Sequence, residues 1–132
     1  MNVLSRIQQQ LKDASSRLEE AVAVQNPDEF VKDATVQRFE FTFDLYWKAL
    51  KKILQSQGID IIGWPKMALK AWNKYGLVEN VAYMIDLLDH RNMFSHEYDE
   101  EKVEERIELI TKTISIFFEH ITVLIDYTYD PA

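Results

Sequence analysis

The spacing of apolar residues constrains the fold of this chain more than any other feature of its sequence. Towards the C-terminus such residues recur at alternating intervals of four and three, at Val103, Ile107, Ile110, Ile114, Phe117, Ile121 and Leu124. Near the N-terminus the intervals alternate in the same way, at Leu4, Ile7, Leu11, Ala14, Leu18 and Ala21. Because this spacing places side chains along one stripe of a helix, the sequence predicts a long amphipathic helix in each segment.

A third long helix is predicted from Asn26 to about Gln57. Its start combines an N-cap asparagine at Asn26, a proline at the first helical position and a capping-box glutamate, Glu29. Gly58 suits the left-handed position that ends a helix. Its apolar residues form two stripes, one with Phe30, Ala34, Phe41 and Leu45, the other with Phe43, Tyr46, Leu50 and Ile53. Two stripes imply contacts on two sides of the helix.

The aromatic residues of this helix leave two interpretations open. Five of them, Phe39, Phe41, Phe43, Tyr46 and Trp47, cannot all face one direction on a helix. Either some of them face a partner, for which a homodimer is the economical hypothesis, or they build a thick aromatic core without any partner.

Two shorter helices are predicted between the long ones. Pro65 opens the first and Gly76 closes it, and the second runs from Val81 to about Met93. No strand-like alternation or low-complexity linker interrupts the helical pattern, and 132 residues suit one domain, 1–132. The expected fold is therefore all-α, an antiparallel up-and-down bundle of four-helix type with an extra short helix.

Composition narrows the possible functions. No apolar run approaches the ~20 residues that cross a bilayer, and the absence of cysteine removes disulfides and thiolate chemistry. We therefore expect a cytoplasmic location. The net charge of −7 opposes general attraction to nucleic acid, so any RNA must meet a local basic site. Two clusters qualify, although a solvated helix face is the favoured explanation of each: Lys48, Lys51 and Lys52, and Lys66, Lys70 and Lys74.

A polar cluster follows the fourth predicted helix. Arg91 and Asn92 extend its apolar stripe, and His96 can approach them only if the helix ends or bends in between. A guanidinium binds phosphate oxygens and an imidazole moves a proton near neutral pH. The set therefore suits RNA cleavage without a metal, in which the ribose 2′-hydroxyl attacks the adjacent phosphate. Caps and ion pairs at a helix end are the alternative interpretation.

Neither a metal nor a nucleotide cofactor is expected. The acidic and histidine residues around this cluster lack a recognised ligand spacing: Asp86, Asp89, His90, His96, Glu97 and Asp99. With three glycines in the whole chain, no glycine-rich phosphate loop is present. His120, one residue before Ile121, is expected at the boundary of the last apolar stripe.

The segment from Arg91 through His96 and Tyr98 to Glu100 resembles the Arg-x4-His-x-Tyr signature of HepT-like proteins, a branch of the HEPN superfamily. It is also similar to the nucleotidyltransferase substrate-binding protein group within that branch. The similarity extends over most of the chain after Phe30, with supporting segments at 38–48, 65–77 and 85–89.

The resemblance implies a dimeric bundle that works with a separately encoded, minimal nucleotidyltransferase. In the toxin–antitoxin pairs of this family, the positions of Arg91 and His96 are the ribonuclease residues and the position of Asn92 assists. The position of Tyr98 is where the partner attaches adenylate and silences the toxin. The substrate-binding group suggests the other possibility, a non-catalytic adaptor that presents a substrate to the nucleotidyltransferase.

Overall fold

The computed structural model describes residues 2–59 and 100–128, with the side chains of the second range described from Val103 onward. It contains three α-helices: α1, Val3–Val22; α2, Glu29–Ser56; and α3, Glu100–Asp126. Within these two ranges there is no strand. The prediction of an all-α fold is confirmed, and the three long amphipathic helices lie where the apolar spacing placed them.

Helix α1 begins at a side-chain cap. The Asn2 carboxamide oxygen accepts a hydrogen bond from the Ser5 backbone N–H at 2.7 Å, which satisfies one of the donors left open at a helix start. Leu11, Leu18 and Ala21 of the predicted stripe are buried.

Helix α2 starts later than the sequence pattern suggested. The N-cap is Asp28, whose carboxylate accepts from the Val31 N–H at 2.9 Å, and the helix begins at Glu29. The prediction that Asn26 caps the helix with Pro27 at its first position was wrong. Asn26 has a φ of 52°, a left-handed conformation that asparagine tolerates better than most residues, and so lies in the turn after α1. At the other end Gly58 has a φ of 80°, as predicted.

Contacts along the helices fix their relative directions. The Arg38 guanidinium of α2 donates to the Arg17 carbonyl of α1 at 2.9 Å. Gln8, near the start of α1, donates to the Tyr127 carbonyl, and the Tyr127 hydroxyl lies 3.3 Å from Ser56 Oγ at the end of α2. Helices α1 and α2 are therefore antiparallel.

Helices α2 and α3 instead run in the same direction. Polar contacts join their starts, their middles and their ends in order: Lys32 to Glu104, Tyr46 to His120, and Ser56 to Tyr127. The chain thus leaves α2 and enters α3 at opposite ends of the bundle. The exact bundle type stays a prediction, because the two shorter predicted helices lie outside the described residues.

The core lies where the three helices meet. Its centre is a cluster of rings with centroids 5.6–6.0 Å apart, from Phe39, Phe43, Tyr46 and Phe117. Aliphatic residues from all three helices surround these rings, including Leu18, Leu50, Ile53, Ile110 and Leu124. Burial of this apolar surface is the main favourable term for the fold.

No helix in the described ranges is both long and apolar enough to cross a membrane.

Candidate functional site

The predicted site residues lie outside the described part of the chain. This applies to Arg91, Asn92, His96 and Tyr98, to the alternative metal ligands between Asp86 and Asp99, and to the basic cluster Lys66, Lys70 and Lys74. Their arrangement therefore stays a prediction, and the described helices show only the scaffold to which they are joined.

The scaffold next to the signature is the end of the bundle where α3 begins. Tyr98 precedes Glu100, the first residue of α3, by two positions. One turn further on, Glu104 forms an ion pair with Lys32 from the first turn of α2. The carboxylate side of this pair is largely exposed, so it is a surface contact that helps to set the two helix starts side by side.

Arg106 is a buried cation that the sequence pattern had not singled out. Its side chain is 4% exposed, six residues into α3. The sequence did carry a signal, since Arg106 falls three residues after Val103 and four before Ile110, on the apolar stripe. Burying a guanidinium is costly unless it is paired, so an arginine at such a position marks a polar element inside the bundle.

A second buried polar element joins α2 to α3. The Tyr46 hydroxyl and the His120 Nδ1 are 3.4 Å apart, and the side chains are 1% and 2% exposed. Burial raises the pKa of the Tyr46 phenol well above its ordinary value. The expectation that His120 is a boundary residue was wrong. It follows Phe117 by three residues and precedes Leu124 by four, so it shares their buried stripe.

The surroundings of the Tyr46–His120 pair indicate a structural role. Neither side chain reaches solvent, and the two rings also make an edge contact with centroids 6.5 Å apart. A group that cannot meet a substrate cannot transfer a proton to it, so His120 is separate from the chemistry predicted for His96.

The basic cluster on α2 is accessible in part. Lys48 and Lys52 are exposed, whereas Lys51 is half-buried with its Nζ 5.9 Å from the centre of the Trp47 ring. That distance suits a cation–π contact. The arrangement fits the solvated helix face that was one of the two interpretations, and RNA binding there stays a prediction.

An open groove runs between α1 and α2. It has a volume of about 520 Å³ and is lined by Gln10, Asp13, Ala14, Arg17, Ala34, Gln37, Arg38, Phe41 and Leu45. Its α2 side belongs to the predicted stripe that also contains Phe30. Phe30 is 85% exposed and Phe41 is 62% exposed, so the two phenylalanines of this stripe are turned outward.

The fold resembles that of a solved protein structure. A crystal structure of a protein from Thermus thermophilus matches with a TM-score of 0.76 and 23% identity, over 89% of this chain and 99% of that one. At this low identity the match is evidence for a shared fold alone.

The family follows from the sequence. Residues 6–126 match the family described as "Nucleotidyltransferase substrate binding protein like", and the chain belongs to that family. A curated relative, "Probable ribonuclease HepT" of Haemophilus influenzae, is 37% identical over 71 residues, which are 51% of this chain. The chain matches about half of that relative, 49% of its length. The predicted similarity to the nucleotidyltransferase substrate-binding protein group is therefore confirmed, and the HepT relative supports the wider HepT-like assignment.

Proposed function

We propose that this chain is the toxin of a toxin–antitoxin pair, an endoribonuclease that needs no metal and is silenced by a cognate minimal nucleotidyltransferase. The observation that carries the proposal is the Arg-x4-His-x-Tyr signature inside a family match over residues 6–126. The similarity to a protein named as a ribonuclease supports the same activity. A cytoplasmic location and RNA as substrate belong to this proposal.

Each signature residue has a role in the proposed cleavage. His96 takes the proton of the ribose 2′-hydroxyl or gives one to the leaving oxygen, Arg91 stabilises charge on the phosphate, and Asn92 orients an oxygen. A single catalytic histidine in each chain, His96, leaves the second proton transfer unassigned. A homodimer that brings two sites together would supply it.

Tyr98 is the proposed point of control. Adenylation of its hydroxyl by the partner would add bulk and negative charge two residues from His96. Because RNA is itself anionic, this charge would oppose its entry into the site.

An adaptor is the second candidate function. The family description names substrate binding for a nucleotidyltransferase, and a net charge of −7 does not favour RNA. In this case the bundle would present a substrate to the partner and would cleave nothing itself.

Two histidine variants test the ribonuclease. The purified chain should cleave RNA in the presence of a metal chelator, and His96→Ala should abolish cleavage while leaving the unfolding temperature unchanged. His120→Ala is the matched control, because it should lower the unfolding temperature and leave the cleavage rate of the folded protein intact. Full cleavage by His96→Ala would overturn the assigned site.

Mass spectrometry tests the proposed adenylation of Tyr98. Incubation with the cognate nucleotidyltransferase and ATP should add adenylate to the chain and stop cleavage. Tyr98→Phe should stay unmodified, whereas Tyr127→Phe, in the half-buried tyrosine after α3, should be modified normally. An unmodified chain that never cuts RNA but binds the active partner would favour the adaptor.

A further inference from the structure

The buried guanidinium of Arg106 has no part in the proposed cleavage, although it lies at the end of α3 nearest to the signature. Arg106 is the first of several residues along one side of α3 that are between 0% and 4% exposed: Arg106, Ile110, Phe117, His120 and Leu124. A guanidinium in such surroundings is costly unless it is paired, and Arg106 does interact with another group. The identity of that group decides what Arg106 does.

The described acidic residues do not form an ion pair with Arg106. Within residues 2–59 and 103–128, the one ion pair joins Lys32 to Glu104. The positions three and four residues from Arg106 on α3 hold no acid: Lys102, Val103, Leu109 and Ile110. Because a guanidinium stays charged when it is buried, a carboxylate is the partner that neutralises it. Such a carboxylate must come from residues 60–99 or 129–132.

The direction of an arginine side chain on a helix restricts its partner further. Arg106 is six residues, about 9 Å, after Glu100, and long side chains lean back by about one turn toward the helix start. The end of α3 at Asp126 is about 30 Å away along the axis. Asp60 and Asp130 follow the ends of the parallel helices α2 and α3, so both are too far from Arg106. The partner therefore comes from the segment before α3.

Asp89, on the fourth predicted helix, has the right level along the bundle. A short connection makes neighbouring helices antiparallel, so the helix predicted to end at about Met93 should run alongside α3 from the same turn. Asp89 lies four residues, about 6 Å, before this end. The Arg106 guanidinium, which leans toward the start of α3, should lie at a similar distance from the turn. Glu79 precedes the predicted helix and would be far from the turn.

Asp89 also has the right side of the predicted helix. It follows Ile85 by four residues and precedes Asn92 by three, so it borders the predicted apolar stripe. Asp86 falls on the opposite side, where a carboxylate stays in solvent. The turn holds two further acids, Glu97 and Asp99, which can be hydrated there or cap α3.

We propose that Arg106 forms a buried ion pair with Asp89 and thereby holds the helix that carries Arg91 and Asn92 against the start of α3. The planar fork of an arginine binds both oxygens of a carboxylate, which fixes orientation as well as distance. Asp89 precedes Arg91 by two residues, so fixing this carboxylate also fixes the backbone that presents Arg91 to the phosphate. Arg106 is then a positioning residue, because at 4% exposure it cannot meet RNA.

The positioning role rests on the proposed function, whereas the ion pair does not depend on RNA cleavage. A double-mutant cycle on the full chain, read as unfolding temperature by circular dichroism, tests the pair. Arg106→Met and Asp89→Leu should each lower this temperature by about 10 °C or more, because each leaves one buried charge unpaired. The double variant should unfold no lower than either single variant.

Asp86→Leu is the matched control for the cycle. It should shift the unfolding temperature little, and its shift should add to that of Arg106→Met. Arg106→Lys, which keeps the charge without the fork, replaces Arg106→Met in the cycle if the methionine variant does not fold. Additive shifts for Arg106 and Asp89, or coupling of Arg106 to Asp86 instead, would overturn the proposed pair.

Amide hydrogen exchange read by mass spectrometry tests whether the pair holds the signature in place. In folded Arg106→Met, or in Arg106→Lys, amides of residues 86–98 should exchange about 10-fold faster than in the wild type, and those of α1 should be unchanged. A residue that only stabilised the bundle would raise exchange in α1 as well. Unchanged exchange at residues 86–98 would contradict the positioning role.

Cleavage kinetics connect the pair to the proposed reaction. At a temperature where the variant is folded, Arg106→Met should lower kcat about 100-fold and change KM for RNA by less than about 2-fold, because the site is misplaced and not removed. Asp86→Leu should cleave at the wild-type rate. A wild-type rate in folded Arg106→Met would rule out the positioning role. If the wild type cuts no RNA, the proposed function fails, and the unfolding cycle and hydrogen exchange still decide the ion pair.

Discussion

The two sides of α2 use the same residue type for opposite purposes. Phe39 and Phe43 are 1% and 2% exposed and lie in the aromatic core, whereas Phe41, between them in sequence, is 62% exposed beside the α1–α2 groove. Two residues along a helix correspond to a rotation of about 200°, which separates core from surface. The position on the helix, and not the hydrophobicity of the residue, decides which phenylalanine stabilises the single chain.

Replacing one phenylalanine on each side of α2 should give the largest difference in the free energy of unfolding. Phe43→Ala should lower the free energy of unfolding by about 3–5 kcal/mol, because it removes buried contacts and leaves a cavity among the rings. Phe41→Ala should change it by less than about 1 kcal/mol when measured on dilute, monomeric protein. Urea titration monitored by circular dichroism checks both values. Equal losses of unfolding free energy would contradict the distinction between a buried and an exposed side of α2.

The pH dependence of stability tests the core-facing side of α2, which carries Tyr46. Burial raises the pKa of Tyr46 above that of the unfolded chain, so above about pH 10 the unfolded state loses a proton that the folded state keeps. The free energy of unfolding should therefore fall with rising pH, by about 1.4 kcal/mol per pH unit from this residue, and be unaffected by it below about pH 10.

Tyr46→Phe removes this contribution. Its unfolding free energy should decrease less steeply between about pH 10 and 11 than that of the wild type, while lysine deprotonation continues in both. Identical slopes for the wild type and Tyr46→Phe would show that the phenol is not held neutral in the core.

The smallest effect concerns where α2 begins. Asp28→Ala should lower the free energy of unfolding by about 1 kcal/mol, because it removes the cap on the Val31 N–H. Asn26→Gly should be almost neutral, since glycine adopts the positive φ at this position readily. A larger loss at Asn26 than at Asp28 would restore the start predicted from the sequence.

Much of the fold was predictable because helical periodicity is a local property. The stripe from Val103 to Leu124 predicted α3, and Gly58 marked the end of α2 correctly. The error at the start of α2 arose because two local signals competed. Asn26 and Asp28 both suit an N-cap, and only the path of the turn after α1 selected Asp28.

The candidate site was also predictable from the sequence only in part. The signature at Arg91, His96 and Tyr98 is readable in the sequence, but it lies outside the described residues, so the roles of these residues stay predictions. Conversely, the buried Arg106 and the contact of Tyr46 with His120 were not predicted. That contact joins residues 74 positions apart, which spacing along one helix cannot show.

The sequence by itself determined the helical class, the three long helices and the family, because side-chain spacing and short motifs act over a few residues. Only the tertiary structure decided which stripe of α2 is core, that α2 and α3 are parallel, and that His120 is buried against Tyr46. These features depend on how separate helices pack, and packing is set by long-range contacts and shape complementarity that no single segment contains.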